Sequence, residues 1–265
     1  PGVCVTTAVY RDVCANVGLD FRRDWQHARR LPAGRREVAL AEARARLAAF
    51  SWPAQWSVDL QEGIANVRTG PIPSWAIRSS ATNEDTGDAS GAGLYRTELG
   101  VGQGDIAEAV RRCWESLWED RVLGYYPANS ANESVPAMAV IIQPMVAARV
   151  SGVAFSRHPV TGCVDEVLIN AVPGLAEPLV SGRMAPDEYV VRRGGSGRFE
   201  YVSQRRVTAK PYMMRLTPGG TVLDPLAAEE GLRPSLTDDE AVQLAALVQE
   251  IEKALGLPVD VEWAL

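Results

Sequence analysis

The sequence predicts a mixed α+β fold in which helices dominate the first half of the chain and strands the second. Before Ala137, apolar residues recur three and four positions apart, which is the spacing of a helix that packs on one face. After Ala137, short apolar or alternating runs separated by Gly and Pro are typical of strands and turns. With 265 residues, 46% of them hydrophobic, the chain can bury one good core or two lobes that share a cleft.

The first 70 residues predict one strand and three helices. Residues 1–10 are expected to form a short strand that runs into a helix capped by Thr6 or Thr7. Arg36–Phe50 is rich in Ala, Leu, Arg and Glu, and this composition predicts a second helix. A third helix is expected to begin after Pro53 and to end near position 70.

Pro71 and Pro73 separate this helix from a short apolar strand, Trp75–Arg78. The strand leads into a polar segment, residues 78–97, that contains hydroxyls, carboxylates and glycines. An arginine offers phosphate oxygens a planar, permanently charged fork, and hydroxyls and backbone N–H groups are further donors. The segment is either a polyphosphate-binding loop or a solvated surface loop. Composition alone favours the surface loop, because no G-x-x-x-x-G-K-[ST] or G-x-G-x-x-G pattern is present.

A further helix is predicted where Asp105–Glu108 matches a capping box. Its apolar positions fall on one helical stripe, and this spacing favours core packing over an aromatic platform for a ligand. The stripe consists of Ile106, Val110, Cys113, Trp114, Leu117 and Trp118.

The second half begins with Ala137–Gln143, a continuous apolar run that predicts a strand covered on both faces. Gly194–Gly197 predicts the turn of a hairpin. Four more strands are expected over Ser151–Ser156, Val167–Ala171, Tyr189–Arg192 and Phe199–Val202.

The chain closes with a helix and an alternating strand. Thr237–Glu240 is a capping box, and Gly256 fits the position just after the helix. In Val259–Trp263 strict alternation places Asp260 and Glu262 on one strand face. Two neighbouring carboxylates can hold a hard divalent cation, or they can be the wet face of an amphipathic strand, and the pattern alone favours the wet face.

Composition excludes several classes of protein. The net charge of −6 argues against a general nucleic-acid surface. No apolar run approaches the ~20 residues that cross a bilayer, and no secretory signal opens the chain, so we expect a cytoplasmic protein without membrane contact. The cysteines form no C-x-x-C pair and predict neither a zinc site nor a disulfide framework. We expect Cys163 in a turn and Cys4, Cys14 and Cys113 in buried positions.

Several spaced motifs resemble the nucleotide-binding domain of phosphoenolpyruvate synthases, pyruvate phosphate dikinases and rifampin phosphotransferases. The matches extend from Pro1 to Leu265. They include R-S-S-A-T at 78–82, E-D at 84–85, C-W-E-S-L at 113–117, Q-P-M-V at 143–146, S-G-V-A-F at 151–155, G-L-A-E at 174–177 and D-V-E-W-A at 260–264.

This resemblance implies an ATP-grasp fold, in which two α+β lobes close over ATP with Mg²⁺. The N-terminal lobe would span residues 1–142 and contain the phosphate-binding loop 78–97. The C-terminal lobe would span residues 143–265 and contain the acidic strand 259–264, which reaches the metal and the ribose.

The resemblance also implies roles for individual residues. Arg78 would be the catalytic phosphate clamp and Glu262 the metal ligand. The Q-x-M-V hinge would read the adenine edge through backbone groups near Met145 and Val146, with Gln143 beside the phosphates or the base. The nucleotide-binding residues implied in this way are Arg78, Gly93, Thr97, Gln143, Met145, Val146, Glu177, Asp260 and Glu262.

The chain departs from the family pattern at a few positions. Gly91 and Leu94 stand where relatives usually have an aromatic residue and a Gln, and Ala176 replaces a glycine beside Glu177. An ion pair is the structural alternative for Glu177. His158 stands where Asp is usual, but a phosphohistidine there is disfavoured, because the family's phosphorylated histidine lies on a separate mobile domain.

The activity that the resemblance implies is a dikinase reaction. The terminal pyrophosphoryl group of ATP would pass to that histidine, leaving AMP, and a phosphoryl group would then reach pyruvate or a drug hydroxyl. An upstream lysine segment, a Q-x-R segment, the phosphohistidine domain and the acceptor-substrate domain are not in this sequence, and the only lysines are Lys210 and Lys253. We therefore expect a fragment of a larger enzyme, with weaker ATP binding than the intact protein.

Two other functions stay open. A stand-alone ATP-grasp ligase would form an acyl phosphate and release ADP instead of AMP. A non-catalytic nucleotide-binding or interaction module is the other alternative, for which Leu94, His158 and Ala176 would be signs of drift.

Overall fold

A computed structural model describes residues 2–67, 74–82, 85–86, 89–90, 94–125, 136–217 and 219–265. Backbone contacts divide the chain into two compact units. The first consists of Pro1–Met145 and Pro218–Gly220, and the second of Val146–Thr217 and Thr221–Leu265.

The described residues form a mixed α+β fold, as the sequence predicts. The helices are α1 (Thr7–Asn16), α2 (Phe21–Arg30), α3 (Ala33–Ala48), α4 (Ala54–Val67), α5 (Ile106–Ser116), α6 (Asp120–Tyr125), α7 (Glu177–Val180), α8 (Ala228–Gly231) and α9 (Asp238–Leu255). The strands are β1 (Val3–Val5), β2 (Trp75–Ala81), β3 (Asp85–Thr86), β4 (Ala89–Ser90), β5 (Thr97–Val101), β6 (Met138–Pro144), β7 (Val150–Phe155), β8 (Glu166–Pro173), β9 (Asp187–Arg193), β10 (Phe199–Arg206), β11 (Tyr212–Thr217), β12 (Gly220–Pro225) and β13 (Asp260–Ala264).

The first unit is built around a four-stranded antiparallel sheet in the order β1-β6-β2-β5. Its core includes Ile77 from β2 and Ile142 from β6, both fully buried. The predicted stripe of α5 joins this core, with Trp114 fully buried among its members, so its interpretation as a packing stripe is confirmed.

Two details of the first unit differ from the sequence predictions. Asp105 precedes α5 after a short 3₁₀ turn, but its side chain makes no capping hydrogen bond. Glu108, the other half of the expected capping box, forms ion pairs with Arg111 and Arg112 instead, because these guanidinium groups lie within one helical turn of it.

The strand predicted over Ala137–Gln143 is present as β6, but it is not covered on both faces. Val140 and Ile142 are fully buried, whereas Ile141 between them is 39% exposed and Gln143 is exposed. An apolar run is expected in a strand with two covered faces, but it is also compatible with one open face that carries a few apolar residues. Arg78, a predicted site residue, lies on this open face opposite Ile141.

The second unit contains a five-stranded antiparallel sheet in the order β10-β9-β8-β7-β13. Helix α9 packs on one face of this sheet. It begins at Thr237, whose side chain accepts from the Glu240 N–H in a complete capping box, and it ends at Gly256 with a left-handed φ of 73°. Both ends are as the sequence predicts. The sheet residues that face α9 are Val150, Ala154, Val167, Ile169, Tyr189, Val191, Val261 and Trp263.

Cysteine burial agrees with the prediction only in part. Cys14 and Cys113 are buried and Cys163 is partly exposed in a turn, but Cys4 is exposed. Strand β1 lies at the edge of its sheet, and Cys4 is directed away from the core between two residues that are more buried. In the part of the chain that the structure describes, no helix is long and apolar enough to cross a membrane.

Candidate functional site

The open face of the first sheet brings three predicted site residues together. Arg78 on β2 lies directly opposite Thr97 on β5 and Ile141 on β6. Gln143 lies opposite Ala76, which is two residues before Arg78 and therefore on the same face. Directly paired residues of antiparallel strands project to the same side, so Arg78, Thr97 and Gln143 form one polar patch.

The alternation of β2 explains how Arg78 is held. Trp75 and Ile77 are directed into the core and are at most 1% exposed. Because successive strand residues project to opposite faces, these two anchors direct Arg78 to the open face, where it is half-buried. Strand β2 has neighbours on both sides, so the backbone that positions this guanidinium is held by two ladders of hydrogen bonds.

Thr97 is positioned by an ion-pair network on the other face of the sheet. The Arg112 Nε and the Arg96 Nε lie 2.6 and 2.7 Å from the same Glu98 Oε1. Burial acts to raise the pKa of Glu98, but the hydrogen bonds and charges of Arg112 and Arg96 outweigh it, so this pKa lies below its ordinary value of 4.5. Glu98 follows Thr97 directly in β5, and Arg112 belongs to α5. Their ion pair therefore connects β5 to α5 at the point where the polar segment ends.

The predicted hinge lies at the end of β6. The Met145 N–H donates to the Ser74 carbonyl at 3.0 Å, and the Val146 carbonyl accepts from the Ala148 N–H at 2.9 Å. Met145 is half-buried and the Val146 side chain is 57% exposed. Two backbone groups here have no hydrogen bond among the described residues, namely the Met145 carbonyl and the Val146 N–H. They belong to one trans peptide unit and therefore point in opposite directions, so a single base edge can contact only one of them.

The second sheet carries the predicted acidic pair on the face opposite α9. Asp260 and Glu262 are exposed on β13, whereas Val261 and Trp263 pack against the α9 cluster. The predicted alternation of this strand is therefore confirmed. Strand β13 lies at the edge of the sheet beside β7, with Asp260 opposite Phe155 and Glu262 opposite Val153. Both carboxylates project from one strand toward the same side.

The same face carries a residue that the sequence analysis did not single out. Asn170 lies in β8, opposite Val153 on β7 and Glu188 on β9. It is the only polar residue within the predicted apolar strand Val167–Ala171, and this break in the pattern is the signal that could have found it.

Glu177 lies at the start of α7 and forms an ion pair with Arg183. The preceding turn depends on Gly174, which has a φ of 74°, and a Cβ at this position would lie 2.1 Å from the Met214 carbonyl oxygen. The ion pair is the arrangement expected of the structural alternative for Glu177. Its role toward a nucleotide stays a prediction.

Lys210 is held by acceptors within the second unit. Its Nζ lies 2.7 and 2.8 Å from the two carboxylate oxygens of Asp187, and it also donates to the Thr208 and Arg233 carbonyls. Asp187 accepts in addition from the Ser235 hydroxyl at 2.7 Å. Lys210 is 3% exposed and Asp187 is fully buried. Lys210 is therefore a structural residue of the second unit.

His158 caps a turn. Its Nδ1 accepts from the Val160 N–H at 3.3 Å and from the Thr161 N–H at 3.4 Å. A carboxylate oxygen of Asp makes the same pair of contacts in an Asx turn. His158 thus replaces the usual Asp in its turn function, which supports a structural role for this histidine.

Gly93, the remaining predicted site residue, lies outside the described residues, as do Gly91 and most of the segment between Thr82 and Leu94. Within the described residues, no group of three or more His, Cys, Asp or Glu side chains is arranged to hold a metal ion. A divalent cation on the acidic face of the second sheet would therefore take other oxygen ligands as well, such as water, amide or phosphate oxygens.

The described residues thus form an α+β fold, with a polar patch on the open face of the first sheet and two exposed carboxylates on the second sheet. Over residues 1–265 the chain matches the family described as the pyruvate phosphate dikinase AMP/ATP-binding domain. The chain belongs to this family.

Curated relatives are similar over much or all of the chain. A rifampicin phosphotransferase from Streptomyces sviceus is 36% identical over 269 residues, covering 100% of this chain and 30% of that protein. A phosphoenolpyruvate synthase from Pyrococcus furiosus is 39% identical over 200 residues, covering 71% of this chain and 24% of that protein. The chain thus spans less than a third of the length of these relatives, and it represents their ATP-binding part.

Proposed function

We propose that this chain is the ATP-binding domain of a dikinase-type phosphotransferase that splits ATP to AMP. The pyrophosphoryl group would pass to a histidine on another domain, and a phosphoryl group would then reach pyruvate or a drug hydroxyl. Membership of the AMP/ATP-binding domain family supports the first part of this reaction. The two possible acceptors correspond to the names of the two groups of relatives.

The observation that carries the proposal is the polar patch on the open face of the first sheet. Arg78 and Thr97 are direct cross-strand partners there, and Gln143 lies on the same face. A guanidinium fork and a hydroxyl side by side are complementary to the oxygens of a polyphosphate. We propose Arg78 as the catalytic clamp that neutralises charge developing on the phosphates, with Thr97 and the Gly93 backbone as donors.

We propose that Mg²⁺ binds on the acidic face of the second sheet. Glu262 and Asp260 fit this ion, because both are exposed carboxylates on one side of β13 and Mg²⁺ prefers oxygen ligands. The ion would neutralise negative charge on the phosphates. Glu262 would hold it and Asp260 would accept from the ribose hydroxyls, while Glu177 is a second acidic group proposed near the phosphates.

We propose that the hinge recognises adenine. Backbone groups near Met145 and Val146 would read the adenine edge. Gln143 would lie beside the base or the phosphates.

We propose further that the fold is an ATP-grasp, with residues 1–142 and 143–265 as lobes that close over ATP. The partners would be a phosphohistidine domain and an acceptor-substrate domain, in the same polypeptide or in another chain. A cytoplasmic location stays a prediction.

Analysis of the reaction products separates this function from its alternatives. A protein that contains this chain together with its phosphohistidine domain should convert ATP to AMP, which phosphorus NMR distinguishes from ADP. Release of ADP that depends on a carboxylate substrate would instead indicate an ATP-grasp ligase. If ATP is bound but stays intact with every acceptor, the chain is a non-catalytic nucleotide-binding module.

A further inference from the structure

The polar face of the second sheet extends beyond the two carboxylates of β13. Glu262 lies opposite Val153, which lies opposite Asn170, which lies opposite Glu188. These four residues form a row across β13, β7, β8 and β9, and all project to the side away from α9. Asn170 is thus separated from Glu262 by a single strand.

Asn170 has an unsatisfied acceptor in this row. Its Oδ1 is buried and has no hydrogen-bond partner in the described part of the chain. A buried polar atom without a partner is uncommon in folded proteins and requires an explanation. An amide oxygen accepts only, so it can bind a donor or a cation but not a phosphate oxygen.

Neither neighbour in the row supplies a donor. Val153 is apolar, and Glu188 is itself an acceptor, already bound to the Arg206 Nε at 2.9 Å. The backbone is also constrained, because a Cβ on Gly152 would lie 1.8 Å from the Asn170 carbonyl oxygen. The close approach of β7 and β8 at this point fixes the backbone that carries Asn170. A molecule bound on this face, water included, can supply the donor that the neighbours in the row do not.

We propose that Asn170 is a positioning residue for the divalent cation, with its Oδ1 accepting from a water molecule that the cation holds. Adjacent strands are ~4.8 Å apart, so Glu262 and Asn170 are separated by about 10 Å at the backbone. The two side chains, a Mg²⁺ ion and one of its waters are together long enough to span that gap. The inference rests on the proposed function, and it extends the metal site from β13 to β8.

Three variants test this assignment. Asn170→Leu removes the acceptor at similar size, Asn170→Asp keeps an acceptor, and Glu188→Gln is a control on the far side of Asn170. The affinity of each variant for ATP is measured by calorimetry, once in excess Mg²⁺ and once in EDTA. The comparison separates binding that depends on the metal from binding that does not. We expect Asn170→Leu to weaken binding about 10-fold with Mg²⁺ but not in EDTA, as for outer-shell partners of metals. Asn170→Asp and Glu188→Gln should bind MgATP like the wild type.

Thermal unfolding distinguishes this function from a structural one. The Asn170→Leu variant should unfold at the wild-type temperature or above, because the Oδ1 that it removes has no partner among the described residues. Wild-type affinity of this variant for MgATP would overturn the inference, and so would an equal loss with and without Mg²⁺.

A metal titration keeps the inference testable if the wild type binds no ATP. The proposed function would then fail. Mn²⁺ binding to the chain alone, monitored by electron paramagnetic resonance, would still show whether Asn170 contributes to a metal site. Weaker Mn²⁺ binding by both Asn170→Leu and Glu262→Gln would support the shared metal site. Equal binding by these variants and the wild type, or no binding by any of them, would overturn it.

Discussion

The buried pair of Lys210 and Asp187 shows how a single residue can be committed to structure. Both charges are removed from water, and each is compensated by several hydrogen bonds. Lys210→Met leaves the Asp187 carboxylate without its counter-charge, and breaking a buried pair in this way costs about 3–5 kcal/mol. Urea unfolding should show this loss for Lys210→Met, whereas Lys253→Met at an exposed position should stay within about 0.5 kcal/mol of the wild type. Equal effects of the two variants would contradict the structural role.

Glu98 predicts a pH dependence for the first unit. Burial opposes its ionisation, but Arg112 and Arg96 outweigh burial, so the pKa of Glu98 is lower in the folded chain than in the unfolded chain. The folded state therefore binds fewer protons in this range, and stability rises with pH. The stabilisation is present above the ordinary value of 4.5 and is lost as the pH falls through the lower, folded pKa.

Unfolding of the wild type and of Glu98→Gln between about pH 3 and pH 7 tests this linkage. The wild type should lose its advantage over the variant as the pH falls. A constant difference across the whole range would show that Glu98 does not contribute to the pH dependence.

At the scale of elements, the packing of α1 and α5 predicts which thiols react, because Cys14 lies in α1 and Cys113 in α5. Burial raises the pKa of Cys113 to about 12 and that of Cys14 to about 11. The thiolate is the nucleophile, so both thiols should stay unmodified by an aromatic disulfide reagent at pH 8 in the folded chain. Cys4 is exposed and should react. Mass spectrometry of the labelled chain checks this, and modification of Cys113 before Cys4 would contradict the packing of α5.

The turn after β7 depends on the acceptor at position 158. His158→Asp keeps an acceptor for the Val160 and Thr161 N–H groups, whereas His158→Ala removes it. Each such hydrogen bond contributes about 0.5–1.5 kcal/mol. We expect amide hydrogen exchange at Val160 and Thr161 to be faster in His158→Ala and no faster than wild type in His158→Asp. An unchanged exchange rate in His158→Ala would show that the turn is held by backbone hydrogen bonds and does not depend on the side chain at position 158.

Elements with local signals were predictable from the sequence, and α9 is the clearest case. Its capping box and closing glycine are encoded within 20 consecutive positions, Thr237 to Gly256, and both are as predicted. The hairpin β11–β12 has no such signal, because Tyr212–Thr217 does not alternate, and it was missed. The capping box at Asp105 failed because ion pairs with Arg111 and Arg112 compete for Glu108.

For the whole molecule, the motifs predicted which residue types belong to the site, but not which of them meet. That Arg78 faces Thr97 depends on the register of β2 and β5, which no short segment encodes. Lys210 and Asp187 are 23 positions apart, and no short segment encodes their ion pair, so it could not be predicted from the sequence either. Long-range pairing also decides that Asn170, an isolated polar residue in an apolar strand, shares a row with Glu262.

The central claim is that this chain binds ATP through the polar patch around Arg78. Calorimetric titration with ATP and Mg²⁺ tests it most directly, with Arg78→Ala as the variant and Arg121→Ala, an exposed arginine of the same unit, as the control. Hydrogen bonds to charged groups contribute about 1.5–3 kcal/mol, so Arg78→Ala should weaken binding about 10- to 150-fold while Arg121→Ala matches the wild type. Absence of saturable binding by the wild type, or equal affinity of the two variants, would contradict the account.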